Sequence, residues 1–369
     1  MIYDYLIVGS GIFGSVFAYE MNKIGKKCLI IENRNHIGGN CYTENKDNIN
    51  IHKYGPHIFH TNDKKIWNWI NQFTDFHNYK HSPKVFYKNN IYSFPINLMT
   101  LQQIWGVRTP LEAIEKINSV KIKNDNPNNL EEWILSQVGE DIYNIFIKGY
   151  TKKQWNKDPK ELPTSIIKRL PIRTNFDDNY FFDKYQGIPI GGYTQIFDKL
   201  LDGIEIRTNT DFFKNREYFE SISKKIVFTG KIDEFFNYEF GELEYRSLKF
   251  ENSLIDIDDY QGSSIINYTE YDIPYTRITE HKHFENSKSN VTWITKEYPK
   301  NYQKNDIPYY PINDDKNNKK YKYYKEKSNS LQKKFIFGGR LGSYQYYDMH
   351  QVIGQALKTV ENEINNLGS

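Results

Sequence analysis

The chain opens on an apolar run of strand type, Tyr5-Leu6-Ile7-Val8, that meets three glycines spaced Gly9-Ser10-Gly11-Ile12-Phe13-Gly14. An amphipathic helix pattern follows from Ser15 to Ile24, closed by Gly25, and Cys28-Leu29-Ile30-Ile31-Glu32 reads as the next, parallel strand. In this spacing the first glycine permits a tight turn, the second lets backbone approach a pyrophosphate, and the third lets helix and strand pack closely. The helix N-terminus faces the same phosphates with unpaired N–H groups and a positive dipole end. Glu32 ends the second strand 18 residues after Gly14, where an acid accepts a ribose hydroxyl. Strand, glycine turn, helix, strand and acid together predict a dinucleotide site. The alternative is a buried βαβ unit whose glycines serve packing alone.

Further along, the patterns change in kind. Arg34-Asn35-His36-Ile37-Gly38-Gly39-Asn40 is a glycine-bearing loop able to fold back over a cofactor. Tyr54-Gly55-Pro56-His57-Ile58-Phe59-His60-Thr61 is a turn with two histidines about a short apolar strand. From Asn62 to Phe73 the apolar residues Ile66, Trp67, Ile70 and Phe73 share one helical face. Lys84 to Phe94 alternates about Asn89-Asn90, a hairpin signal. Thr109-Pro110-Leu111-Glu112 is a capping box with proline at the first helical position, Asn129 starts a second helix that Gly139 stops, and Asp141 to Tyr150 makes a third. Gly191-Gly192 opens a helix to Leu201, with short strands near Ile204–Arg207 and Lys225–Thr229. Leu243–Phe250, Ser264–Thr269, Tyr275–Thr279 and Val291–Lys296 then follow with period two and no helices between them, which predicts a mostly antiparallel sheet. Phe335-Ile336-Phe337, Gly338-Gly339 and a helix from Tyr347 to Ile364 repeat the strand–glycine–helix unit of the N-terminus, and are expected to rejoin the same sheet.

These elements predict an α/β chain in three parts. Residues 1–80, 190–242 and 331–369 form a doubly wound (Rossmann-like) dinucleotide domain, 97–160 an inserted helical domain, and 81–96, 161–189 and 243–330 an antiparallel sheet and substrate domain. A length of 369 residues accommodates this division. The balance of 49 basic against 46 acidic residues leaves no global argument for nucleic acid. A local excess at 314–334, eight Lys against three acids, reads as a solvated surface segment, with a polyanion-binding patch as the sharper alternative. Cys28 and Cys41 are too few for a disulfide framework and lack metal-ligand spacing, so no metal is expected. No apolar run reaches membrane-spanning length, and Asp4 leads directly into a strand rather than a signal peptide, so a cytoplasmic chain without membrane insertion is expected.

With no evident nucleophile, metal cluster or catalytic triad, the chemistry falls to the cofactor. The remaining polar signals are arginines among aromatics: Arg173 after Pro171, Arg277 mid-strand, and Arg340 after Gly339. A planar guanidinium fork suits a diphosphate, and the plainer alternative is an internal salt bridge. Trp155, Tyr180, Tyr310 and Tyr346 are candidates to stack on a nucleobase or donate to phosphate.

Several ordered motifs carry a resemblance. They are Gly9 to Gly14, His36 to Asn40, Gly55 to Thr61, Gly149-Tyr150-Thr151-Lys152-Lys153-Gln154-Trp155, and Tyr185-Gln186-Gly187-Ile188-Pro189-Ile190-Gly191-Gly192-Tyr193. Pro274-Tyr275-Thr276-Arg277-Ile278, Pro308-Tyr309-Tyr310-Pro311, Phe337-Gly338-Gly339-Arg340-Leu341 and Tyr346 to Gln351 complete the set. Over essentially its whole length the chain resembles the bacterial UDP-galactopyranose mutases. The resemblance implies an FAD-binding doubly wound domain, a helical domain and a twisted antiparallel sheet, assembled as a homodimer. It implies a UDP-sugar substrate and an isomerase that interconverts UDP-galactopyranose and UDP-galactofuranose. FAD would be active in its reduced form, FADH⁻, with N5 attacking the anomeric carbon, UDP leaving, and no net redox change.

Carried over residue by residue, the resemblance gives Arg173 and Arg277 the diphosphate and the leaving UDP, and places His57 and His60 near the reactive face of the flavin. Tyr150, Tyr180, Tyr310 and Tyr346 surround the diphosphate; Phe146, Thr151, Trp155 and Asn267 surround the uridine. Gly9, Gly11, Phe13, Gly14, Glu32, Asn33, Arg34, Gly39, Asn40, His57, Ile58, Arg340, Tyr347, Asp348, Met349 and Val352 contact FAD. His81 departs from the family, standing before Ser82-Pro83 where several relatives carry Asn, so altered detail in nucleotide binding rather than lost activity is expected there. His60 and Lys168 resemble galactose-specific members; UDP-N-acetylgalactosamine is the alternative sugar. A segment around Trp155 is expected to close over substrate. Outside this class stand a flavin oxidoreductase of amine-oxidase type, which would turn over its flavin oxidation state, and a non-catalytic UDP-sugar or polyanion binder.

Overall fold

In a computed structural model, residues 2–166 and 170–367 are described. Five strands form a wholly parallel sheet in the order Glu205–Arg207, Cys28–Ile31, Tyr3–Val8, Ser223–Phe228, Phe335–Phe337. Their apolar runs are continuous rather than alternating because both faces are covered. On one face Ile7 and Ile30 pack with Phe17 and Met21 of helix Ile12–Lys23 and with Ile353 and Ala356 of helix Met349–Leu367. On the other, Leu6, Leu29 and Phe228 meet Phe235 and Tyr324. Tyr324 belongs to the lysine-rich stretch, which is a helix, Asp315–Ser330, that buries Asn317, Tyr324 and Ser328 and turns most of its lysines to solvent. The expected solvated segment is therefore solvated on one side and part of the core on the other.

The second large sheet has seven strands, in the order Tyr310–Pro311, Tyr245–Ile255, Thr292–Asn301, Arg277–Glu280, Ile265–Tyr268, Lys84–Tyr87, Asn90–Ser93. All pairs are antiparallel except Ile265–Tyr268 with Lys84–Tyr87. The expected hairpin is present one residue earlier than its signal: Lys88 and Asn89 take the positive φ values (47° and 61°) of the tight turn.

Against the second sheet lies a helical layer with its own core of Leu101, Ala113, Ile134, Val138 and Ile142. Its helices begin where capping side chains satisfy the first N–H groups: Asn97, Thr109 and Asn129 accept from Thr100, Glu112 and Glu132. The box at Thr109 is half formed, since the Glu112 carboxylate accepts from Arg108 N instead of turning back to Thr109. Gly139 (φ 77°) interrupts its helix, which resumes at once and continues through a widened turn, Tyr143–Lys148, into helix Gly149–Trp155. Strand Tyr185–Pro189, which no sequence pattern predicted, pairs antiparallel with Phe59–Thr61 and Phe76–His77.

Candidate active site

The three N-terminal glycines do three different things. Gly9 has φ 102°, and a Cβ there would collide with Thr229 Oγ1. A Cβ on Gly14 would collide with Gly9 O and lie 2.9 Å from Ile7 Cγ2, so this glycine sets how closely helix and strand approach. Gly11 has nothing within 4 Å of its Cβ position, so the cradle is open on that side. Gly39 closes over it, its own Cβ position 3.0 Å from Gly11 Cα. Glu32 accepts from Ser10 N (2.9 Å), Ser10 Oγ (2.7 Å) and Arg34 N (3.0 Å). It thus braces the glycine turn, and a carboxylate with about four lone-pair sites keeps capacity for a ribose hydroxyl.

This cradle is one end of a cavity of about 1310 Å³. Every residue expected to bind cofactor lines it: Gly9, Gly11, Phe13, Gly14, Glu32, Asn33, Arg34, Gly39, Asn40, His57, Ile58, Arg340, Tyr347, Asp348, Met349 and Val352. Arg34 Nη1 and Arg340 Nε are buried N–H groups without a hydrogen-bond partner, as expected of cations awaiting an anionic group. The residues fit a dinucleotide.

The same space continues past His60, His81 and Tyr180 to Phe146, Tyr150, Thr151, Trp155, Asn267, Arg277, Tyr310 and Tyr346. Arg277 begins strand Arg277–Glu280 and stands opposite Glu297, with Nε 3.5 Å from Glu297 Oε1 and Nη2 donating to Tyr150 OH at 2.7 Å. Burial works against its charge, but Glu297, Tyr150 and Tyr310 outweigh burial and hold its pKa above the ordinary value. Burial raises the hydroxyl pKa of Tyr150, Tyr180 and Tyr310, keeping them donors at neutral pH. Burial, with Arg277 and His60 adding, lowers His81 to about 3, and burial lowers His57 to about 4, so both rings are neutral.

Arg173 is the one expected site residue that does not line the cavity. Its guanidinium donates to the carbonyls of Asn179 and Asp177, pairs with Asp177 (3.5 Å), and stacks on Phe182 at 4.3 Å, leaving Nη2 buried and unpartnered. The internal salt bridge is what this structure presents for Arg173; Arg277 has a salt bridge and the cavity at once. Lys168 lies outside the described residues.

The segment around Trp155, expected to close over substrate, is the helix Gly149–Trp155, tied to its neighbours at several points. Lys153 Nζ donates to the carbonyls of Tyr268, Ile273 and Tyr275 (2.6, 3.0 and 2.9 Å), and Arg246 Nε donates to Gln154 O (2.9 Å). A Cβ on Gly149 would collide with Thr269 O. Exposure concentrates elsewhere: Phe176 and Phe182, on the segment that carries Arg173, are 61% and 72% exposed.

Glu297 and Asp183 line the cavity and escaped the sequence reading. The first was discoverable, because Glu297 sits on a strand pattern next to the Arg277 strand; the second arrives through a strand pairing that left no signal.

Two family models match the chain: UDP-galactopyranose mutase over residues 145–346 and NAD(P)-binding Rossmann-like domain over 7–73. The chain is 42% identical to a dTDP-fucopyranose mutase of Escherichia coli, covering 98% of each chain. It is 39% identical to a probable UDP-galactopyranose mutase of Klebsiella pneumoniae, covering 99% of this chain and 95% of that one. Its fold matches the crystal structure of a reduced UDP-galactopyranose mutase with a TM-score of 0.74 at 13% identity, covering 99% and 94% of the two chains. A cradle for a dinucleotide opening onto a half-buried, carboxylate-backed arginine thus coincides with matches along the full length, and the chain belongs to the UDP-galactopyranose mutase family of isomerases.

Proposed function

We propose that the chain interconverts UDP-galactopyranose and UDP-galactofuranose, with reduced FAD as its cofactor. One observation carries the reading: the glycine cradle opens without a partition onto Arg277 and its tyrosines, so a dinucleotide and a nucleoside-diphosphate sugar share one cavity. Reduced FAD, when bound, supplies an electron-rich nitrogen, N5, as nucleophile toward the anomeric carbon. Gly9, Gly11 and the N-terminus of helix Ile12–Lys23 hold the pyrophosphate, with Arg34 and Arg340 supplying N–H groups. Arg277, with Tyr150 and Tyr310 beside it, takes up the negative charge that develops as UDP departs, which is electrostatic stabilisation in a water-poor site. Phe146, Thr151, Trp155 and Asn267 form the nucleobase end. For Arg173 to join Arg277, the 170–182 segment must swing and exchange its own carbonyls and Asp177 for phosphate.

A second reading, a dTDP-6-deoxy sugar such as dTDP-fucopyranose, is favoured by the 42% relative. UDP-N-acetylgalactosamine is the third candidate. Chromatographic kcat/KM on UDP-galactofuranose, dTDP-fucofuranose and the N-acetyl compound decides among them. A preference of tenfold or more for UDP-galactofuranose supports the first reading, and the reverse preference overturns it. A homodimer and a cytoplasmic location belong to the same proposal. Leu111 and Ile114, 65% and 46% exposed on helix Pro110–Val120, offer an apolar face for a second copy, which sedimentation tests. No helix among the described residues is long and apolar enough to cross a membrane.

A further inference from the structure

We infer that Asp183 is the positioning residue for His60, an acid that decides which imidazole nitrogen addresses the cavity. Asp183 Oδ2 lies 2.6 Å from His60 Nδ1, and an ionised carboxylate only accepts, so Nδ1 carries the proton whether the ring is neutral or cationic. Nε2 is then the ring position where a proton is gained or lost. Free imidazole prefers the opposite tautomer, so the acid reverses an intrinsic preference.

The carboxylate is itself held. Its Oδ1 accepts from Asn62 Nδ2 at 2.7 Å, and Asn62 Oδ1 accepts from Lys184 N at 2.8 Å. Phe181 stacks flat on the His60 ring (3.9 Å, 14°), and His350 meets it edge-on at 5.3 Å. The two stretches are brought together by the antiparallel pair in which His60 stands opposite Gln186 and Thr61 opposite Tyr185, with Asp183 two residues before that pair. Both side chains line the cavity, so the arrangement faces substrate rather than the core. A triad-like orienter of this kind fixes tautomer and angle without meeting the reacting atoms.

The inference rests on the isomerase reading for its purpose. A ring contraction breaks the bond from the anomeric carbon to one sugar oxygen, which gains a proton, and forms a bond to another, which loses one. One nitrogen that gives and takes back a single proton closes that balance: with Nδ1–H held by Asp183, Nε2 of the His60 imidazolium gives its proton to the first oxygen and recovers one from the second.

The test uses FAD-loaded protein labelled with ¹⁵N in histidine, comparing wild type, Asp183→Asn and Asn62→Ala. Wild type is expected to carry the proton of the neutral His60 ring on Nδ1, with a far-downfield N–H proton. Asp183→Asn is expected to shift the neutral ring toward the Nε2–H tautomer and to lower kcat roughly 10–100-fold, with KM, flavin content and thermal midpoint near wild type. Asn62→Ala, which keeps the charge and loosens its hold, should fall between. An unchanged tautomer or an unchanged kcat in Asp183→Asn overturns the inference. A wild type with the expected tautomer and no activity on any nucleotide sugar overturns the isomerase reading while leaving the Asp183–His60 pairing standing.

Discussion

In the proposed reaction Arg277 carries the most weight. It is half-buried, backed by Glu297, and tied to Tyr150. Replacing it with alanine should lower kcat/KM by roughly 10²–10³, the cost of one preorganised donor at a developing anion, while flavin content is retained. Steady-state rates within about threefold of wild type would remove it from the diphosphate. The glycines allow a sharper contrast. Gly11→Val places its bulk in open cavity, so the flavin-free protein should unfold within about 0.5 kcal/mol of wild type and yet fail to retain FAD. Gly14→Ala meets Gly9 and Ile7 instead, so it should lose about 1–3 kcal/mol of stability before any effect on cofactor. Urea titration and flavin absorbance separate the two; a Gly11→Val protein that stays yellow would contradict the cradle. These glycine roles were legible in sequence because spacing alone dictates them. The position of Arg173 was not, since its setting depends on carbonyls at 177 and 179 in a stretch without periodic pattern.

At the scale of elements, two tethers hold the cavity walls. The Lys153 ammonium joins helix Gly149–Trp155 to the 268–275 turn through three carbonyls. Lys153→Met should raise KM for the nucleotide sugar about tenfold, roughly 1.4 kcal/mol, with FAD binding intact; an unchanged KM would mean that helix is held without it. The other tether is a line of imidazoles. His57 N donates to His52 Nδ1 (3.0 Å), His52 N to His281 Nδ1 (3.3 Å), and His281 Nε2 meets Thr295 Oγ1 at 2.6 Å. Burial lowers His281 to about 3 from the ordinary 6.5. The folded ring refuses a proton that the unfolded one accepts, so its contribution is complete above pH 6.5 and is lost as pH falls toward 3. By pH 5 the loss is about 2 kcal/mol from this group alone. Denaturant midpoints at pH 7 and pH 5 check it, and His281→Asn should flatten the difference; an equal slope in both proteins would refute it. Elements with caps and long periods were readable in advance, as Asn129 and Thr109 show. Short strands such as Tyr185–Pro189 were not, because their partners, not their composition, make them strands.

Across the whole molecule, a parallel sheet presents the dinucleotide cradle and an antiparallel sheet presents Arg277, with the helical layer supplying the third wall. The sequence marked both sheets, because continuous and alternating apolar runs distinguish burial on two faces from burial on one. How they meet around one cavity was not legible, since no local pattern encodes the approach of distant strands. The resulting site has room for an electron-rich cofactor beside a departing nucleotide. The proposed role of reduced FAD is put to the test by incubating UDP-galactofuranose with FAD-loaded protein, dithionite-reduced or fully oxidised, and separating the products by chromatography. UDP-galactopyranose is expected only from the reduced protein, over many turnovers and with no net consumption of electrons. Equal conversion by oxidised or flavin-free protein would contradict it.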